Sequence, residues 1–241
     1  MLTLSHEADR VELKFTVPES AQEATCAALG IDFARIRPYR VYYLDTEDRA
    51  LYQHGVVVRV RSVNHRPGDS VIKLRPVCPG GIPTALRNSK HFVVEVDGMP
   101  GSYVCSGALK AHLGVHDVDR AIAHRRKLHA LFTKPQLRLL AAHLPPQVGI
   151  DDLAILGPVD ACRCKLESDG FKHTLLLERW TFPDGHWILE LSTRCLPGAA
   201  LRVAAELDAF LRAHDVDVTG PQQTKTRATL DFFSARPGQR G

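Results

Sequence analysis

Six stretches of this 241-residue chain alternate apolar residues with charged ones. Val11, Leu13, Phe15 and Val17 stand against Arg10, Glu12, Lys14 and Thr16. Val56, Val58 and Val60 stand against Arg59 and Arg61, and Ile72 and Leu74 against Lys73 and Arg75. Phe92, Val94 and Val96 alternate with His91, Glu95 and Asp97. Cys162, Cys164 and Leu166 alternate with Arg163 and Lys165, and Leu189 and Leu191 with Glu190 and Ser192. Side chains of a strand point alternately to its two faces, so each run is a strand with its charges on one side. Such strands, dispersed over most of the chain, can bring their charges to one concave surface. A basic lining with a few carboxylates suits a phosphate-rich ligand carrying a divalent metal.

The size allows one large domain or two small ones, and an apolar fraction of 44% predicts a folded chain. A net charge of +4 is too mild for a general nucleic-acid binder. Arginine outnumbers lysine 22 to 9, which favours forked recognition of phosphate oxygens. The twelve histidines show no HxH or HExxH spacing and are assigned no metal role. The six cysteines form no CxxC pair, so Cys162 and Cys164 are read as small hydrophobes. No signal peptide is visible, and no apolar run approaches the ~20 residues of a membrane span. A reduced, cytoplasmic protein is expected.

Strands are predicted at 10–17, 40–46, 56–63, 70–76, 90–97, 160–167, 171–180, 186–193 and 223–232, the last with Lys225 and Arg227 on one face. Helices are predicted from Pro18-Glu19-Ser20 to about Leu29 and over 199–214. Residues 105–145, with Leu109, Leu113, Ile122, Leu128, Leu131, Leu137 and Leu140 at helical spacings, are predicted helical. Asp45 and Thr46 are read as turn-shaping residues, and Trp180 and Trp187 as packing residues. The tail from Ala235 to Gly241 is predicted disordered, which leaves a single domain over 1–234.

Several of these residues resemble a known family. Val11-Glu12-Leu13-Lys14-Phe15 is similar to an ExExK strand. Tyr43-Leu44-Asp45-Thr46, Asp48-Arg49-Ala50-Leu51, Gly55 and Arg59-Val60-Arg61 resemble the YFDT…L…G…LRxR block of the CYTH superfamily, the triphosphate tunnel metalloenzymes. Ile72-Lys73-Leu74-Arg75 is similar to the next strand of that family. Arg163-Cys164-Lys165, Glu178-Arg179, Glu190 and Lys225-Thr226-Arg227 fall where its later strands carry charge.

The resemblance implies an α+β fold, an eight-stranded antiparallel β tunnel (a closed barrel) with helices packed outside. Members of the family hydrolyse inorganic or organic triphosphates, thiamine triphosphate among them, or cyclise ATP, with Mg²⁺ or Mn²⁺. By that resemblance Lys14 and Lys73 are the catalytic candidates. Arg59, Arg61, Arg75, Arg163, Lys165, Arg179, Lys225 and Arg227 are the phosphate ligands, and Glu12, Glu190, Glu178 and Glu95 the metal ligands; Arg10, which stands where the family has a carboxylate, is a further phosphate-ligand candidate by its charge. Asp97 is a further metal candidate that, before Gly98, also reads as a turn residue.

The chain departs from the family where the first Glu of ExExK is Arg10, and paired carboxylates are incomplete at Glu190. A cation beside a metal site opposes the metal. The implied function is a divalent-metal-dependent triphosphatase. The alternatives are a class IV-type adenylate cyclase and a non-catalytic binding module for triphosphates, nucleotides or polyphosphate. The implied partner is a small-molecule triphosphate or nucleotide, with neither a membrane nor a nucleic acid expected.

Overall fold

The computed structural model describes residues 7–235. Nine strands form a closed barrel: β1 (Arg10–Val17), β2 (Tyr39–Asp45), β3 (Val56–Val63), β4 (Arg66–Leu74), β5 (Phe92–Met99), β6 (Ser102–His112), β7 (Ala154–Ser168), β8 (Phe171–Thr181) and β9 (Trp187–Cys195). Their order around the barrel is β1-β5-β6-β4-β3-β2-β7-β8-β9. Every neighbouring pair is antiparallel except β1 and β5, which run parallel with Arg10 beside Glu95 and Glu12 beside Asp97. The expected closed tunnel is present, but with nine strands and one parallel seam in place of eight antiparallel strands.

Period-2 patterning sorts the side chains as the sequence predicts. On the outside, Val56, Val58, Val60 and Ile72 form one apolar cluster with Val118 and Ala121 of α2 (Asp117–Ile122) and Leu140 of α3 (Lys134–Ala141). Leu177, Leu189 and Leu191 form another with Val203, Leu207 and Phe210 of α4 (Ala200–Ala213) and Leu29, just after α1 (Gln22–Ala28). Cys162 and Cys164 pack against this second cluster, and all six cysteines are free thiols. Charged residues of the opposite parity are left facing the barrel interior. Asp45 accepts backbone N–H bonds from Thr46, Leu51 and Tyr52 and so anchors the turn after β2. Gly55, at φ 75°, accepts from the Arg75 N–H at 2.7 Å, and a Cβ there would meet that residue's carbonyl, so the turn fixes where Arg75 leaves β4.

Two predicted elements are corrected. Residues 105–112, expected to begin a helical region, belong to strand β6, and only the stretch beyond is helical. Leu109 and Leu113 fit a helical period, yet Cys105, Gly107 and Leu109 also alternate. Burial from Cys105 through Leu109 hides that alternation because both faces are covered. The last predicted strand, 223–232, is α5 (Lys225–Ser234), started by Thr224, whose hydroxyl accepts from the Arg227 N–H. Residues two apart on a helix lie about 200° apart around its axis. Lys225 and Arg227 therefore do not share a face. The predicted disordered tail lies, from residue 236 on, outside the described residues.

Candidate phosphate-binding tunnel

Ten lysine and arginine side chains and four glutamates line the barrel interior. The excess of positive charge follows from strand parity. Arg10, Glu12 and Lys14 come from β1, Arg59 and Arg61 from β3, Lys73 from β4 with Arg75 just beyond it, and Glu95 from β5. Lys110 comes from β6, Arg163 from β7, Glu178 from β8, Glu190 and Arg194 from β9, and Lys225 from α5.

One group of carboxylates sits across the β1–β5 seam. Lys14 Nζ lies 2.8 Å from Glu12 and 2.7 Å from Asp97. Lys73 and Arg75 reach the other Asp97 oxygen at 3.0 and 2.8 Å. Arg194 approaches Glu12 at 2.9 Å and Glu95 at 3.7 Å, and Arg10 pairs with Glu95. Burial opposes ionisation of Glu12, but Lys14 and Arg194 outweigh it and hold the carboxyl at about 2. Burial likewise opposes charge on Asp97, and Lys14, Lys73 and Arg75 together hold it well below the usual range. Lys14 is carried well above its ordinary value, the loss of water being overcome by Asp97 and Glu12.

A second pair lies beside it, on the other side of β1. Glu178 and Glu190 are direct partners on β8 and β9. Lys225 joins them, pairing with Glu178 and lying 2.7 Å from Glu190. Glu178 also accepts from Arg163 at 2.8 Å and from the Tyr39 hydroxyl at 2.8 Å. Burial resists ionisation of Glu178, but Lys225 and Arg163 hold its carboxyl far down, and the same pair of glutamates lifts the buried Lys225 above its ordinary value. Tyr39 is pushed up to about 12, first by burial and then by Glu178.

Elsewhere in the wall, on β3 and β6, stand cations with no ion-pair partner among the described residues. Among the described residues neither Arg59 nor Lys110 makes an ion pair, and Arg59 Nε is buried without a hydrogen bond. Lys110 is open to the tunnel water, yet partial desolvation and then the nearby Arg59 and Arg10 push it down to about 8. Its ammonium is therefore charged below that pH and neutral above. Anion affinity is expected to weaken severalfold between pH 7 and 9 in the wild type. In Lys110→Arg, whose guanidinium stays charged, that loss should largely disappear. Titration calorimetry with tripolyphosphate at the two pH values checks this; a slope that the arginine leaves unchanged assigns the proton to another group.

Of the sequence-derived candidates, Lys14, Lys73, Arg59, Arg61, Arg75, Arg163, Lys225 and Arg10 line the tunnel, as do Glu12, Glu190, Glu178 and Glu95. Arg61 is held bidentately by Asp69. Three candidates lie elsewhere. Arg179 has the opposite parity to Glu178 and stacks outside over Trp187 at 4.5 Å. Lys165 has the parity of Arg163 but is exposed on long β7, beyond the lined part. Arg227 is exposed on α5, 3.6 Å from Asp231. Trp180, read as packing, is buried beside Lys225 with its ring 5.2 Å away. Sequence reasoning assigned no site role to Lys110 or Arg194, and the helical reading of 105–145 concealed the first. Asp97, a possible turn residue, is instead inside β5 and 1% exposed.

Glu12, Glu95 and Asp97 each offer one oxygen within 4.8 Å of the others. All-oxygen carboxylate donors of this kind fit Mg²⁺ or Mn²⁺. The same oxygens already meet Arg10, Lys14, Lys73, Arg75 and Arg194, so a metal here competes with resident cations. Arg10→Glu removes one of these and adds a ligand oxygen beside Glu95. Mn²⁺ binding is expected to strengthen by at least severalfold. Calorimetry showing unchanged Mn²⁺ affinity together with weakened tripolyphosphate binding would instead make Arg10 a phosphate ligand alone.

No protein-family profile matches the chain, and no curated protein matches it by sequence. Solved structures do match in fold. A presumed adenylate cyclase from Bacillus halodurans superimposes with a TM-score of 0.62 at 13% identity, covering 92% of this chain and 97% of that one. HpAC1 from Hippeastrum, a presumed adenylyl cyclase with a dominant triphosphatase activity, gives 0.59 at 16% identity over 88% of this chain and 91% of its own. At these identities the shared property is the barrel fold. Among the described residues no helix is long and apolar enough to cross a membrane.

Proposed function

We propose that this chain is a divergent CYTH-type tunnel protein, one domain over residues 1–234, that binds and hydrolyses triphosphates in the cytoplasm with Mg²⁺ or Mn²⁺. The observation that carries this reading is the pair of unpartnered cations, Arg59 and Lys110, in a tunnel whose other charges are largely matched. Arg59 Nε is a buried donor left unpaired, which is costly, and Lys110 is an accessible charge without a counterion; a bound polyanion would satisfy both. The superfamily is supported by the Tyr43–Arg61 block and by the fold shared with HpAC1, whose own activity is triphosphate hydrolysis.

In this reading Arg59, Lys110, Arg61 and Arg163 hold the phosphate chain through charge-assisted hydrogen bonds. Lys73 joins them from β4, between the strands of Arg59 and Lys110, and Lys14 from β1. Glu12, Glu95 and Asp97 would hold the divalent ion, which supplies neutralisation of charge as a P–O bond breaks. One observation favours a second reading, a binding module without turnover: Arg10 occupies Glu95 where the family motif has a carboxylate. Phosphate release from tripolyphosphate, ATP and thiamine triphosphate, each with Mg²⁺ and with Mn²⁺, separates the two. Hydrolysis is expected with at least one substrate. Tight binding without release would establish the module, and absence of both would end the triphosphate reading.

A further inference from the structure

We propose that Lys225 is a built-in cation that takes the place of a divalent ion between Glu178 and Glu190. The sequence puts both glutamates among the metal ligands, yet their geometry in the barrel does not fit a metal. They are direct neighbours on β8 and β9 and are 7% and 4% exposed. Like charges directly opposite on a sheet repel, and two buried carboxylates need a countercharge. Lys225 supplies it from outside the sheet, as the first residue of α5. The helix is seated by Thr226, 3.1 Å from the Tyr43 hydroxyl, and by Leu230, buried among Val41, Tyr43 and Val159.

Both Glu178 oxygens are engaged. One Glu178 oxygen pairs with Lys225, and the other accepts from Arg163 and Tyr39. Two negative and two positive charges make the group neutral. It therefore exerts no net attraction on a divalent ion and presents no free carboxylate oxygens on Glu178. The Glu12, Glu95 and Asp97 group differs in offering three carboxylates to one point. An ammonium tethered to α5 does not dissociate, so the positive charge at this wall is independent of metal concentration. Loss of the lysine should leave two carboxylates without their countercharge, with the hard-oxygen chemistry that Mn²⁺ prefers.

The test counts bound Mn²⁺ without substrate, by electron paramagnetic resonance of the free ion and by calorimetry. Lys225→Ala and Lys225→Met are expected to bind one Mn²⁺ more than the wild type. Lys225→Arg should bind no more than the wild type, and adding Glu190→Gln to Lys225→Met should abolish the gain. The methionine keeps the bulk of the side chain, and circular dichroism confirms that each variant is folded. Equal counts in the wild type and both neutral variants would overturn the proposal. So would a loss of bound Mn²⁺ when Glu178→Gln or Glu190→Gln is made in the wild type. The proposal concerns the difference in count: a wild-type count of zero removes the metal-assisted reading above without deciding this one.

Discussion

Replacing Asp97 with alanine is expected to destabilise the folded protein by about 3–5 kcal/mol, the range for removing one partner of a buried ionic group. Asp97 is 1% exposed and meets Lys14 at 2.7 Å, Lys73 at 3.0 Å and Arg75 at 2.8 Å. Without it, Glu12 alone is left to compensate Lys14, while Lys73 and Arg75 lose their partner. Both retain some access to tunnel water, at 21% and 24% side-chain exposure, which places the cost toward the lower end of the range. Urea unfolding followed by circular dichroism measures it. Tripolyphosphate should restore more stability to the variant than it adds to the wild type, because the ligand supplies the missing negative charge. A loss under about 1 kcal/mol would mean that water solvates the three cations well enough without the carboxylate.

Arg59→Ala should act in the opposite way, leaving the fold intact and weakening the ligand. Arg59 has no ion pair to lose, and its Nε is already an unsatisfied buried donor. Charge-assisted hydrogen bonds are worth roughly 1.5–3 kcal/mol, so tripolyphosphate affinity should fall at least about tenfold. Calorimetry in metal-free buffer isolates this contribution. Arg179→Ala is the control, since Arg179 stacks on Trp187 outside the barrel and should change affinity little. Equal losses in the two variants would remove the tunnel as the anion site.

Together these variants separate two uses of the same type of charge. Lys14, Lys73 and Arg75 are tied to Asp97 and serve the fold as well as the wall. Arg59 and Lys110 are free to serve a ligand. The distinction matters when mutational data are read, because loss of activity after changing Lys14 combines a stability effect with any effect on phosphate binding. The pH response of Lys110 and the metal count after changing Lys225 report on the tunnel without depending on turnover.

Strand parity was legible in the sequence wherever one face was apolar and the other charged. Arg10, Glu12 and Lys14, Arg59 and Arg61, and Arg163 all follow from period-2 alternation, because a side chain two residues on returns to the same face. Alternation failed where both faces of a strand are covered, as in β6, and there Lys110 was missed. The family resemblance gave Arg179 to the tunnel, although alternation excludes it once Glu178, one residue earlier, holds the inward position. At α5 the residues Lys225 and Arg227 read equally well as strand neighbours. Packing of Leu230 among Val41, Tyr43 and Val159 accompanies the helix instead, and of the two cations only Lys225 lines the tunnel.

The sequence alone thus determined that a basic surface with a few carboxylates would be built from strands, since face assignment is local. Only the tertiary structure decided which charges neutralise one another. Pairing depends on which strands become neighbours and in what register. The parallel seam sets Glu12 beside Asp97 and Arg10 beside Glu95, and the β8–β9 register sets Glu178 against Glu190. Those contacts join residues 12 to 85 positions apart, so no period-2 pattern within one strand contains them. They leave Arg59 and Lys110 without an ion pair among the described residues.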